Sequence, residues 1–298
     1  MTDDWWARLV DFSDYGQLLP LVTNSLVAGS LLALVGGLVG VFVVQRDLAF
    51  AVHGVSELSF AGASAALLFS LDVSLGAVAG SLVAALLIGL LGARARERNS
   101  IVGVLMPFGL GLGVLALALY PGRAANKFGL LTGQIVAVDD ARLTAMVAIA
   151  AVVVGGLLVV WRPLTFASVD PDVAAARGVP TRALSLVFML LLGLAVAMAV
   201  QIVGALLVLS LLITPAAAAV RVTASPVWVP VLAVLFAQVS AVGGILLALG
   251  ASVPISPYVT TISFAIYLAC RFVGGRRARR GWVRRPARQA AAGGTIAG

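Results

Sequence analysis

Apolar stretches of 18 residues or more recur along this chain almost from end to end, and each is long enough to cross a hydrocarbon core of roughly 30 Å. Read in order, the spans fall near 18–44, 50–71, 73–92, 100–120, 143–161, 183–200, 202–220, 227–250 and 257–273. The pair 183–200 and 202–220 also reads as one broken helix. The expected architecture is therefore all-α, a polytopic helical membrane protein of eight or nine transmembrane helices.

Charge supports this reading. Only 11% of the 298 residues are charged, against about 25% in a soluble domain, and 61% are hydrophobic. Three segments are expected. Residues 1–16 form an N-terminal interfacial segment with Trp5 and Trp6 at the membrane surface, residues 17–275 form the transmembrane domain, and residues 276–298 form a basic, disordered tail. The first segment is acidic and lacks the basic start of a signal peptide. A net charge of +8 raises the question of nucleic acid, but only Lys127 of the 20 basic residues is lysine, and the arginines cluster at the ends of apolar runs. That is the pattern of cytoplasmic loops, and no nucleic-acid partner is expected. With nine spans, Arg46, Arg94, Arg96, Arg98, Arg162, Arg177, Arg182, Arg221 and the tail from Arg271 onward all fall on the cytoplasmic side, as does the C-terminus. Arg123, Lys127 and Arg142 fall outside, beside Asp139 and Asp140. The single cysteine, Cys270, excludes a disulfide within the chain.

Sorting the twelve acidic residues by position leaves one within an apolar span, Glu57. The sole histidine, His53, precedes it by one helical turn, so both share a face. Ionisable groups at membrane depth face a bundle interior or a watery path. Imidazole nitrogen and carboxylate oxygen together suit zinc, manganese or iron, and a two-fold dimer would bring two of each to its axis. The same two groups could instead relay protons, or hydrogen-bond each other for structure alone. The chain has no phosphate loop of the G-x-x-x-x-G-K-[ST] type, so active transport would draw on a partner or an ion gradient.

The cytoplasmic loop expected at 162–182 carries stop and start signals: Pro163, then Asp170 and Pro171 as cap and first turn, then Gly178 and Pro180. About two turns of helix should lie between them. Glycines at helical spacing, Gly36 with Gly40 and Gly76 with Gly80, fit close helix packing. Pro215 removes a backbone hydrogen bond and marks either a hinge or a static kink.

Three stretches carry a family resemblance. Residues 45–68 (QRDLAFAVHGVSELSFAGASAALL), 169–180 (VDPDVAAARGVP) and 203–219 (VGALLVLSLLITPAAAA) resemble the second-helix region, the coupling helix and a late-helix motif of the metal-ion permeases of bacterial ATP-binding-cassette importers, which serve zinc, manganese and iron. The resemblance implies a homodimer in the bacterial cytoplasmic membrane, a dimer of cytoplasmic ATPases holding the ATP, and an extracytoplasmic solute-binding protein. It implies metal contacts at His53 and Glu57, and coupling to the ATPase through Asp170, Asp172, Ala175, Arg177 and Gly178. No covalently bound cofactor is implied, and the chain itself is not expected to be an enzyme. Val52 replaces the family's glycine before His53. Pro107 lies near a fourth-helix position where some zinc members carry a further histidine. The imidazole favours zinc over manganese. A gradient-driven secondary transporter and a non-transporting scaffold are the competing readings.

Overall fold

A computed structural model describes residue 16 and residues 19–92, 95–122, 138–205, 208–249 and 255–282. After a 3-10 turn at Leu19–Val22, the helices are α1 (Thr23–Gln45), α2 (Ala49–Leu68), α3 (Val73–Leu91), α4 (Ala95–Leu119), α5 (Asp140–Val169), α6 (Pro171–Ala176), α7 (Thr181–Val203), α8 (Val208–Leu212), α9 (Thr214–Val222), α10 (Trp228–Leu249) and α11 (Ile255–Trp282). Eight of these are long and apolar enough to cross a membrane, and α8 with α9 forms a shorter apolar unit bent at Ile213. Three helices start on aspartate caps: Asp72 accepts from the Leu75 amide, Asp139 from Arg142 and Asp170 from Val173.

Close glycine contacts fix the relative directions of the helices. Gly62 faces Gly76 and Gly80 faces Leu58, so α2 and α3 are antiparallel. Gly54 meets Val102 and Gly113 meets Phe60, so α4 runs parallel to α2. Gly193 faces Ser81 and Gly89 faces Met189, which makes α7 antiparallel to α3. Gly36 and Gly40 face the Leu211 and Leu212 carbonyls, so α8 and α9 run with α1. Gly37 abuts Val234 and Gly29 abuts Ile245, so α10 returns against α1; Gly244 abuts Val259 and Gly243 abuts Ile262, so α11 turns back again. Followed through, these pairings bring Arg46, Arg98, Arg162, Arg177, Arg182, Arg221 and Arg271 to one end of the bundle. Asp72, Asp139 and Asp140 lie at the other.

Helices α1, α2 and α7 are the most buried spans. At the arginine end, Phe42 of α1 meets Trp161 of α5 and Phe188 of α7 edge-on, with ring centroids 4.9 and 5.8 Å apart. The outer helices turn Leu75, Val104, Val159 and Phe272 outward. Faces so apolar on helices of this length are matched to acyl chains rather than water.

Three boundaries differ from the sequence expectation. Helix α5 continues through Arg162 and Pro163 to Val169, so the loop begins at Asp170. Pro163 forgoes one backbone bond, but Leu164 and Ala167 are buried beyond it, and the Thr165 and Ser168 hydroxyls donate back to the Trp161 and Leu164 carbonyls. Helix α11 runs to Trp282, past the boundary expected at 275, because its alanine and arginine residues are good helix formers. The span expected at 202–220 is instead the broken α8–α9 unit. The interfacial segment at 1–15, loop residues 123–137 and the tail from 283 onward lie outside the described residues.

The glycine contacts yield a paired expectation. A methyl group at Gly80 would overlap the Leu58 carbonyl, whereas nothing lies within 4 Å of one at Gly111. Gly80→Ala should lower stability by about 1–3 kcal/mol through forced separation of α2 and α3. Gly111→Ala should be neutral or stabilising by up to about 1 kcal/mol. Melting temperatures of the two purified variants in detergent check this, and equal melting would contradict the packing described.

Candidate functional site

His53 and Glu57 occupy the second and third turns of α2. Nε2 of His53 lies 3.7 Å from Oε1 of Glu57, with the two side chains 25% and 4% exposed. That separation exceeds the usual N–H···O distance of about 2.7–3.2 Å. Two ligands that share one ion at about 2.0–2.2 Å each stand roughly 3–4 Å apart, so the spacing suits an ion between them. The imidazole forms the accessible edge of the pair, and the carboxylate lies behind it. A buried carboxylate in apolar surroundings calls for a counter-charge, which a divalent cation would supply.

The backbone around the pair is held closely. Gly109 of α4 packs on the Glu57–Leu58 peptide, and Gly54 packs on Val102. The Ser56 hydroxyl donates to the His53 carbonyl at 2.8 Å, and the Ser59 hydroxyl donates to the Ala77 carbonyl of α3 at 3.0 Å. Further along the same face of α2 comes Ser64, fully buried, whose hydroxyl has no hydrogen-bond partner. Nδ1 of His53 and Nε2 of Gln201 are likewise buried and unpartnered. The helix pairings put Gln201 near the depth of Ser64, about 10 Å beyond Glu57. Just after it the chain leaves α7 at Gly204, whose φ of 80° suits glycine. Among the described residues, no group of three or more His, Cys, Asp or Glu comes together, so one chain offers the pair alone.

The other sequence-selected residues lie elsewhere. Asp170 caps α6, its carboxylate accepting from the Val173 amide at 3.0 Å, and Gly178 takes a φ of 82° after the helix ends. Asp172, Ala175, Arg177 and Gly178 are exposed, while Ala174 is fully buried and seats the helix. Helix α6 packs against α5 and α7 at the arginine end. Pro215 is buried at the start of α9, where it withholds a hydrogen bond from the Leu211 carbonyl. That carbonyl and its neighbour at Leu212 lie against Gly36 and Gly40, and Ser263 donates to the Ser210 carbonyl at 3.0 Å.

Three features escaped the sequence reading. Arg46, read there as a topological marker, donates from Nη2 to the Ser185 hydroxyl of α7 at 2.9 Å and lies 5.8 Å from the Phe188 ring centroid. Arg98 donates from Nη2 to the Arg46 and Asp47 carbonyls at 3.4 and 3.5 Å. Burial first, and the Arg98 charge second, lower the Arg46 pKa from its ordinary value, yet a guanidinium keeps its charge at physiological pH. Gln201 was legible as a lone amide in an apolar run, but a sorting of acidic residues passes over it.

Comparison with known proteins identifies the family of the chain. The model of the ABC 3 transport family matches residues 19–274, and the chain belongs to that family. The manganese transport system membrane protein MntC of Halalkalibacterium halodurans is 29% identical over 240 residues, which cover 80% of this chain and 82% of that one. The high-affinity zinc uptake system membrane protein ZnuB of Haemophilus influenzae is 25% identical over 256 residues, covering 86% and 98%. A solved structure, PsaBC from Streptococcus pneumoniae in complex with Fab, shares the fold with a TM-score of 0.78 at 24% identity, over 87% of this chain and 95% of that one.

Proposed function

We propose that this ABC 3 family chain is the membrane-spanning permease subunit of an ATP-driven importer, which takes a divalent transition metal from a solute-binding protein into the cytoplasm by alternating access. The observation that carries the reading is the His53–Glu57 pair, an intramembrane nitrogen and oxygen set 3.7 Å apart. Relatives named for manganese and for zinc transport support it. The imidazole favours zinc, with manganese next. As substrate arriving from the side away from the arginines, the ion would reach the depth of Glu57 one helical turn before that of His53. A second copy of the chain would contribute its own pair, completing a shell that one chain leaves half made.

In this reading the arginine end and the C-terminus face the cytoplasm of a bacterium, following the positive-inside rule. Hydrolysis of ATP takes place on a separate ATPase dimer, which docks on α6 and the exposed residues Asp170, Asp172, Ala175, Arg177 and Gly178. Pro215 would serve as hinge or as fixed bend, and the close packing of the neighbouring carbonyls on Gly36 and Gly40 supports the fixed bend. Proton relay through the same pair is the less favoured reading, because 3.7 Å is too long for a direct proton-carrying hydrogen bond.

Glu57→Gln keeps the shape of the side chain and removes its charge. Expressed with its ATPase, this variant should accumulate metal at least about tenfold more slowly than wild type, since loss of even an outer partner of a metal ligand costs about 10–100-fold. Undiminished uptake of zinc and manganese in the variant would remove Glu57 from the path. Asp170→Ala should strip the cap from a six-residue helix, at a cost of about 1 kcal/mol that a helix this short cannot absorb. Co-purification of the ATPase should fall with Asp170→Ala and hold with Asp170→Asn; equal recovery in both would separate α6 from docking.

A further inference from the structure

Helix α6 and the His53–Glu57 pair stand on different parts of the bundle. The first packs on α5 and α7, and the second stands on α2. If an ATPase acts at α6, some contact must carry the displacement across to α2.

The start of α7 is stitched to α6. The Val179 amide donates to the Ala174 carbonyl, Gly178 to Ala175 and Leu184 to Pro180, each at 3.0 Å. Ala174 belongs to the same apolar cluster as Leu184. These bonds make α6, the turn and the first turns of α7 one mechanical piece. Ser185 stands on that piece, and its hydroxyl accepts from Arg46 Nη2 at 2.9 Å.

Arg46 closes α1 and opens the short turn into α2. Asp47, at the centre of that turn, is left-handed with a φ of 53°, and α2 begins at Ala49. Arg98 of α4 donates to the carbonyls of both Arg46 and Asp47, so the turn is gripped through its backbone as well. His53 follows within about 6 Å along the α2 axis. From Glu57 outward, α2 is locked by backbone contact at Gly62, Gly76, Gly80 and Gly109. Its inner end packs through side chains, with Gly54 against Val102 and Val52 and Val55 in the apolar core, and adds polar bonds, which exchange partners more readily than interlocked glycines separate. The bonds there are also incomplete: Nη1 of Arg46 and Nε of Arg98 are buried without partners, and the two guanidiniums repel each other. Such donors gain from any rearrangement that offers an acceptor.

On the importer reading above, we propose that Arg46 is a positioning residue: through its bond to Ser185 it carries movement of the α6–α7 piece to the start of α2, and so sets the direction in which His53 and Glu57 present an ion. Arg46 touches no substrate. It acts by tying the helix that holds the ligands to the segment that an ATPase would move.

The test uses the full complex of permease and ATPase in liposomes, with zinc and manganese supplied separately and two quantities measured, ions taken up and ATP hydrolysed. Ser185→Ala removes only the acceptor. It should lower the ions moved per ATP by about tenfold or more while ATP hydrolysis and melting temperature stay near wild type, since a lost hydrogen bond to a charged donor is worth about that factor. Ser185→Thr retains the hydroxyl and should keep the wild-type ratio. Arg46→Lys, which keeps a donor, should recover more of the ratio than Arg46→Gln. An unchanged ratio in Ser185→Ala overturns the proposal while leaving the importer reading intact. So does a loss of ATP hydrolysis and thermal stability in step with uptake, because that marks a structural role alone. Wild-type complex that moves neither ion with ATP overturns the importer reading, and this proposal with it.

Discussion

Backbone contact at glycine is the constraint on which the rest of this bundle depends. Two helices approach to within touching distance of their peptide groups only where no side chain intervenes, and α2 does so on two sides. Gly62, Gly76 and Gly80 bring it against α3, while Gly109 brings it against α4. In lipid, where acyl chains are as apolar as leucine, such close packing supplies much of the attraction between helices. It also fixes the rotation of α2 about its axis. Because His53 and Glu57 share one face of that helix, fixing the rotation fixes the site.

On the importer reading, function follows from placing a polar pair on a helix held in this way. A carboxylate buried among apolar groups is a poor resting state, and an imidazole 3.7 Å away relieves it only in part. In the proposed function, the remainder of the relief is left for a cation. At the arginine end the design changes character: aromatic contacts among Phe42, Trp161 and Phe188 gather α1, α5 and α7, and hydrogen bonds from Arg46 and Arg98 join the turn before α2 to α7 and α4. One part of the molecule is rigid through packing. The other adds to its packing bonds that can be exchanged.

Much of this was legible in the sequence. Hydropathy located the spans because lipid demands long unbroken apolar helices, and the isolated pair at His53 and Glu57 stood out because charge is so scarce elsewhere. Glycine spacing anticipated contacts at Gly36, Gly40, Gly76 and Gly80, although not their partners, which depend on tertiary arrangement. The continuation of α5 through Pro163 was missed because local signals say stop there, whereas burial of Leu164 and Ala167 outweighs a single lost hydrogen bond. Arg46 was visible only as a charge at a membrane boundary. Its bond to Ser185 joins residues 139 positions apart, and no local pattern announces such a pairing.

The length of α5 has a consequence of its own. Its 30 residues rise about 45 Å, whereas the hydrocarbon layer is about 30 Å thick. The surplus, if not taken up by tilt, is a stalk of roughly 15 Å. Its polar and buried groups beyond Arg162 place the stalk at the arginine end, with α6 at its tip. On the importer reading, the short helix at the tip of this stalk is offered on a pedestal beyond the lipid, where a soluble protein can reach it without pressing against the bilayer.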